Sequence, residues 1–101
     1  MVNLKEPSEY LNDLLKLLTY STVISDTFTN RTISVANKSI ELNYNAGKNN
    51  KPEDFSVYKS FVKELHTITI FSTHFQNLVL GIIHDCIMSA HKKGQNESTH
   101  Q

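Results

Sequence analysis

The stretch Thr32-Ile33-Ser34-Val35-Ala36-Asn37-Lys38-Ser39-Ile40-Glu41-Leu42-Asn43-Tyr44 decides the fold class. Ile33 and Val35 alternate with Thr32 and Ser34, and Ile40, Leu42 and Tyr44 then alternate with Ser39, Glu41 and Asn43. A period of two puts apolar side chains on one face of a strand. Asn37-Lys38 lies between the two runs and suits a tight turn, because asparagine tolerates the positive φ such a turn needs. This pattern predicts a β-hairpin. A helical reading through Ile33, Ala36, Ile40 and Tyr44 accounts for fewer of the residues. A lone two-stranded ribbon is marginal in water, so the hairpin must pack on helices.

Helices are expected on both sides of it. Upstream, residues 4–25 read as a first helix: Asn3 and Glu6 have capping-box spacing and Pro7 falls in the first turn, where its missing N–H is tolerated. Leu11, Leu14, Leu15 and Leu18 form one leucine stripe. Downstream, 45–51 reads as a polar surface loop, and Pro52-Glu53-Asp54 opens a second helix whose apolar face is Phe55, Tyr58, Phe61, Val62 and Leu65. The β-branched run 67–73 weakens helix propensity and reads as a kink, a turn or a third strand. From His74 to Lys92 the helical pattern returns through Phe75, Leu78, Val79, Ile82, Ile83, Cys86, Ile87 and Ala90, and Gly94 suits the residue that ends it. The expected fold is therefore helix-dominated α+β: helix, short hairpin, helix, helix, the last two able to join as one kinked rod. An all-α helical bundle is the alternative. Residues 1–94 are expected to form one compact domain, with 95–101 a frayed polar tail.

Composition narrows the function. The chain has 101 residues, ten basic and ten acidic, and 39% of it is hydrophobic, which excludes a disordered or low-complexity chain. Balanced charge argues against coating nucleic acid or an anionic membrane. The single cysteine, Cys86, cannot close an intramolecular disulfide, and the start lacks the pattern of a secretory leader, so a cytoplasmic protein is expected. On that expectation the sequons at Asn30, Asn37 and Asn96 are chance matches. The most apolar stretch, 68–90, contains His74, Gln76, Asn77, His84 and Asp85, each costly in hydrocarbon, so no membrane span is expected.

No pattern of residues calls for catalysis. His84 and His91 are seven apart and His66 and His74 eight apart, whereas two imidazoles on one helix reach a common ion at three or four, so no metal or other cofactor is expected. Cys86 falls among the apolar positions and His84 points away from it. Nucleophile elbow, phosphate loop and His-Glu-x-x-His are all missing from the sequence. Glu53 and Asp54 suit a helix start better than acid–base work. A non-enzyme with no catalytic residues is the expectation.

The last helix carries the functional expectation. On a wheel of about 100° per residue its apolar arc covers roughly 200°, where a surface helix needs a stripe only somewhat wider than about 100°. This helix is therefore either the fully buried central element of its domain or half of an interface; on the second reading Leu80, Ile83 or Ile87 stays partly uncovered and meets another protein, and Gly81, His84 and Met88, on the opposite face, are counted among the partner-binding residues too. Mid-helix Gly81 costs up to about 1 kcal/mol against alanine, which fits either close approach by a second backbone or simple tolerance. Positive charge gathers at Arg31, Lys38, Lys48 and Lys51, a candidate basic patch for phosphates or for an acidic partner. The expected function is a non-enzymatic protein-binding module that caps or neutralises a partner, by analogy of size and composition with immunity proteins and small enzyme inhibitors. A structural helical subunit of a homo- or hetero-oligomer is the alternative. A nucleic-acid accessory role ranks behind both.

Overall fold

The computed structural model describes residues 4–20, 24–68 and 70–98. They form four helices, α1 (Pro7–Thr19), α2 (Asp26–Lys48), α3 (Ser56–His66) and α4 (Thr73–Ser98), with no strand among the described residues. The expected hairpin is thus corrected: residues 32–44 lie inside α2, and the all-α bundle is the architecture that fits. The reason lies in what α2 buries. Its interior stripe is Thr32, Val35, Ala36, Ser39, Asn43 and Gly47, a regular helical spacing built from small and polar residues. The larger Ile33, Ile40, Leu42 and Tyr44, which suggest alternation, are only half-buried on its flanks.

Local chemistry fixes the ends of α2. Ser25, in extended backbone, accepts the Phe28 N–H through its side chain at 3.1 Å. At the other end Asn50 takes a left-handed φ of 59°, the Asn50 N–H donates to Gly47 O at 3.2 Å, and the Lys51 N–H donates to Ala46 O at 2.8 Å. This is a Schellman closure with asparagine in the position glycine usually takes. Residues 45–48 of the expected loop are consequently helical.

The other boundaries shift too. Pro7 opens α1, which is shorter than the 4–25 expected, and Glu6 caps it without a side-chain hydrogen bond; Asn3 lies outside the described residues. Leu14 and Leu18 are buried, whereas Leu15 of the expected stripe is 44% exposed. The joined rod does not form. The chain leaves α3 at Thr67 and re-enters helix at Thr73, where the Ser72 hydroxyl accepts the Phe75 N–H at 3.1 Å. The Gln76 side chain donates to the carbonyls of Ile68 and Phe71 at 3.3 and 3.2 Å and pins this turn. Beyond Lys92, α4 continues to Ser98, so 95–98 are helix rather than frayed tail, and Gly94 is a buried mid-helix residue rather than a terminator.

Helices α2 and α4 run parallel as a central pair. Phe28, Phe71 and Phe75 join their starts, with ring centroids 4.7 and 5.1 Å apart, and Tyr44 Oη donates to Glu97 Oε1 at 2.7 Å near their ends. There the backbones approach closely. A Cβ on Gly47 would fall on the carbonyl oxygen of His91, and one on Gly94 on that of Tyr44. Helices α1 and α3 run antiparallel to the pair, one on each side, and their backbones do not pack on each other among the described residues. Glu6–Lys93 at 3.3 Å ties α1 to α4, with Ser89 Oγ donating to Lys5 O beside it, and Arg31–Glu64 at 2.8 Å ties α3 to α2. Leu14, Leu18, Val35, Phe61, Leu65, Val79, Ile83 and Ile87 fill the core between the four.

Candidate protein-contact surface

With α1 and α3 on opposite sides of the central pair, α2 shows its outer surface on one broad face of the molecule and α4 on the other. The candidate contact residues of α4 divide between interior and surface. Leu80 is 9% exposed, and Ile83 and Ile87 are fully enclosed. The expectation that this flank stays uncovered is therefore corrected: α2, a full-length helix in place of a hairpin, covers a second side of α4 and takes up the surplus apolar arc. Gly81, His84 and Met88, spaced i, i+3, i+7, remain on the outer side; Gly81 and His84 are exposed and Met88 half-buried.

Two rings join them, Phe55 at the cap of α3 and Tyr58 in its first turn. Phe55 stacks on the His84 imidazole at 5.7 Å with 23° between planes, and Tyr58 meets the same imidazole edge-on at 6.1 Å and 69°. Phe55 and Tyr58 meet each other edge-on at 6.1 Å, so the three rings brace one another. Their placement starts with Asp54. Its Oδ1 accepts the Ser56 Oγ–H at 2.6 Å and the Ser56 N–H at 2.9 Å, starting α3, and these bonds hold its carboxyl below the ordinary aspartate range. The backbone of Asp54 is in turn gripped by Asn43 of α2, whose Oδ1 accepts the Asp54 N–H at 2.7 Å while its Nδ2 donates to Asp54 O at 2.9 Å. The aromatic pair is thereby anchored to the central helices. Sequence reading assigned Phe55 and Tyr58 to the core face of their helix, and both are in fact half-buried. The available signal was two aromatic residues one turn apart immediately after a Pro-Glu-Asp start.

Gly81 stands apart from the other two glycines. Gly47 and Gly94 admit the facing helix backbone, whereas a Cβ on Gly81 would meet nothing within 4 Å, and its φ is not positive. Neither packing nor backbone geometry among the described residues accounts for it.

Reactive groups are arranged as a resting interior would have them. The Cys86 thiol is fully enclosed, and burial first, then the Asp85 and Asp13 carboxylates, push its pKa up to about 12, far from a reactive thiolate. His66 and His74 are exposed; His91 is 6% exposed and donates through Nε2 to Lys51 O at 2.6 Å, which ties α4 to the end of α2. Among the described residues no three His, Cys, Asp or Glu side chains gather to hold a metal ion, and no helix is long and apolar enough to cross a membrane.

The four basic residues do not form one patch. Arg31 makes a two-point contact with Glu64, its Nε and Nη2 donating at 3.0 and 2.8 Å, and Lys38 pairs with Glu41 at 3.3 Å. Lys48 sits over the Tyr44 ring at 5.8 Å, and Lys51 lies in the connection beyond α2. Arg31 and Lys48 are roughly 26 Å apart along the helix, so Arg31 and Lys38 belong to one region and Lys48 and Lys51 to another. No protein-family model matches the chain, and no curated protein or solved structure is similar to it.

Proposed function

We propose that this chain is a non-enzymatic helical module that caps or neutralises another protein, and that the outer face of α4 makes the contact. Gly81 is the observation that carries the reading. A mid-helix glycine costs up to about 1 kcal/mol relative to alanine, and the two other glycines repay that cost by admitting a neighbouring helix, whereas none of the described residues occupies the space above Gly81. A partner backbone or side chain lying flat across α4 supplies the missing reason. Beside this notch, Phe55, Tyr58 and His84 present a braced aromatic rim, the type of surface that loses little side-chain entropy on contact.

The test is Gly81→Gln. Because the site is open, the substitution leaves the fold intact and strengthens α4, so lost binding cannot be ascribed to unfolding. Affinity capture from cells that express the protein, followed by mass spectrometry, should recover a partner with the wild-type chain that the variant fails to recover. Equal recovery of the same partners by both would remove this face from consideration. Sedimentation of the pure protein separates the structural-subunit alternative: a wild-type dimer that Gly81→Gln converts to monomer would assign the face to self-assembly.

A further inference from the structure

On the opposite face, a groove of about 390 Å³ runs between α2 and α3. Arg31, Ser34 and Lys38 stand along its α2 wall at i, i+3 and i+7, and Ser56 and Ser60, one turn apart, along its α3 wall, over Val35 and Val57. No carboxylate lines it. Arg31 and Lys38 are the charged residues of its lining, in a chain that is neutral overall. The hydroxyls of Ser34 and Ser60 bond to no other described residue. Glu64 engages Nε and Nη2 of Arg31, which leaves Nη1 to a ligand, and the Lys38–Glu41 pair is exposed on both sides and readily exchanged.

We propose that this groove takes an acidic peptide segment of the partner, a proposal that rests on the protein-binding reading above. The wall offers donors and cations over an apolar floor, and the complementary ligand is a chain with carboxylates on either side of a small apolar residue. An extended segment with acidic residues at i and i+4 and valine at i+2 places all three on one face, the acids about 13 Å apart. The Cα atoms of Arg31 and Lys38 are about 10 Å apart along α2, and their long side chains span the difference. Valine then meets Val57 while the carboxylates meet the guanidinium and the ammonium.

Fluorescence anisotropy on the full chain tests this with two labelled probes, Glu-Ser-Val-Ser-Glu and Lys-Ser-Val-Ser-Lys. The acidic probe should bind saturably and more weakly as salt is raised, and the basic probe should not bind. Lys38→Glu should weaken the acidic probe about tenfold or more, while Lys48→Glu, the same charge change at the far end of α2, should leave its affinity unchanged. No binding of the acidic probe at millimolar concentration, equal binding of both probes, or equal losses in the two variants would each overturn the assignment. Those outcomes leave the protein-binding reading to Gly81→Gln, which lies on the other face and reports on it independently.

Discussion

The carboxamide of Asn43 does for the connection between α2 and α3 what a neighbouring strand would do. It is fully enclosed, and it satisfies both the N–H and the C=O of Asp54 while its second N–H returns to Ser39 O at 2.8 Å. Backbone groups in a connection that packs inward need such partners. Asn43→Ala should therefore cost about 2 kcal/mol or more by chemical denaturation, since it strands a donor and an acceptor together. It should also loosen Phe55 and Tyr58 from His84, visible as broadened aromatic resonances. Ser39, one turn earlier, is the contrast: its hydroxyl is buried without a partner among the described residues, so Ser39→Ala should be neutral or slightly stabilising in the same measurement. At this scale the sequence was legible where a residue has one dominant preference. Cys86 among apolar positions was read as buried and is. Asn43 was read as an outward polar residue because an asparagine shows its interior role only once the peptide it grips is in place.

At the scale of the helix, the glycines separate what packs from what is open. Gly47 and Gly94 lie opposite each other where α2 and α4 cross, and each leaves room for the backbone of the other helix and not for a flexible side chain that could step aside. Gly47→Ala and Gly94→Ala should each destabilise by about 3 kcal/mol, at the upper end of overpacking costs because backbone must move. Gly81→Ala should instead raise stability by about 0.5–1 kcal/mol through helix propensity alone. Thermal unfolding of the three variants checks the opposite signs. Sequence reading recognised α4 because large aliphatic residues mark its buried face, and it recognised the leucines of α1 for the same reason. It misread α2 because close packing against α4 demands small residues at Thr32, Ala36, Ser39 and Gly47, which removes the bulky stripe that announces a helix. The remaining Ile33, Val35, Ile40 and Leu42 then imitate a strand. The same misreading displaced the candidate surface: without α2 as a cover, Leu80, Ile83 and Ile87 had nothing to bury them, whereas Gly81 and His84 are exposed and Met88 half-buried.

For the whole molecule, the arrangement sets an order of opening. Most buried residues belong to α2 and α4, while α3 contributes Phe61 and Leu65, and α1 contributes Pro7, Leu14 and Leu18. Since the backbones of α1 and α3 each pack on the central pair and not on one another, either should detach with little effect on the other. Amide hydrogen exchange should accordingly show the highest protection in the central turns of α2 and α4 and lower, independent values in α1 and α3. Acid should loosen α3 and, through the Lys5–Asp13 pair, the start of α1, ahead of the central pair. The Arg31 guanidinium holds the Glu64 carboxyl below its ordinary 4.5 through a hydrogen bond and then through its charge. A carboxyl whose folded pKa is depressed contributes stability above its unfolded value and loses it as pH falls through the folded one, so the tether is complete above about 4.5 and lost below the lowered value. With both side chains more than a third exposed, at 48% and 41%, the loss is modest, and α3 protection factors should fall by up to about fivefold. Glu64→Gln should reduce that fall to the part contributed by Asp54, whose carboxyl is also held low at the start of α3, while leaving protection in α4 unchanged. A fall of equal size in all four helices of the wild type would show instead that the bundle opens as one unit, and the groove between α2 and α3 would then be as rigid as the core beneath it.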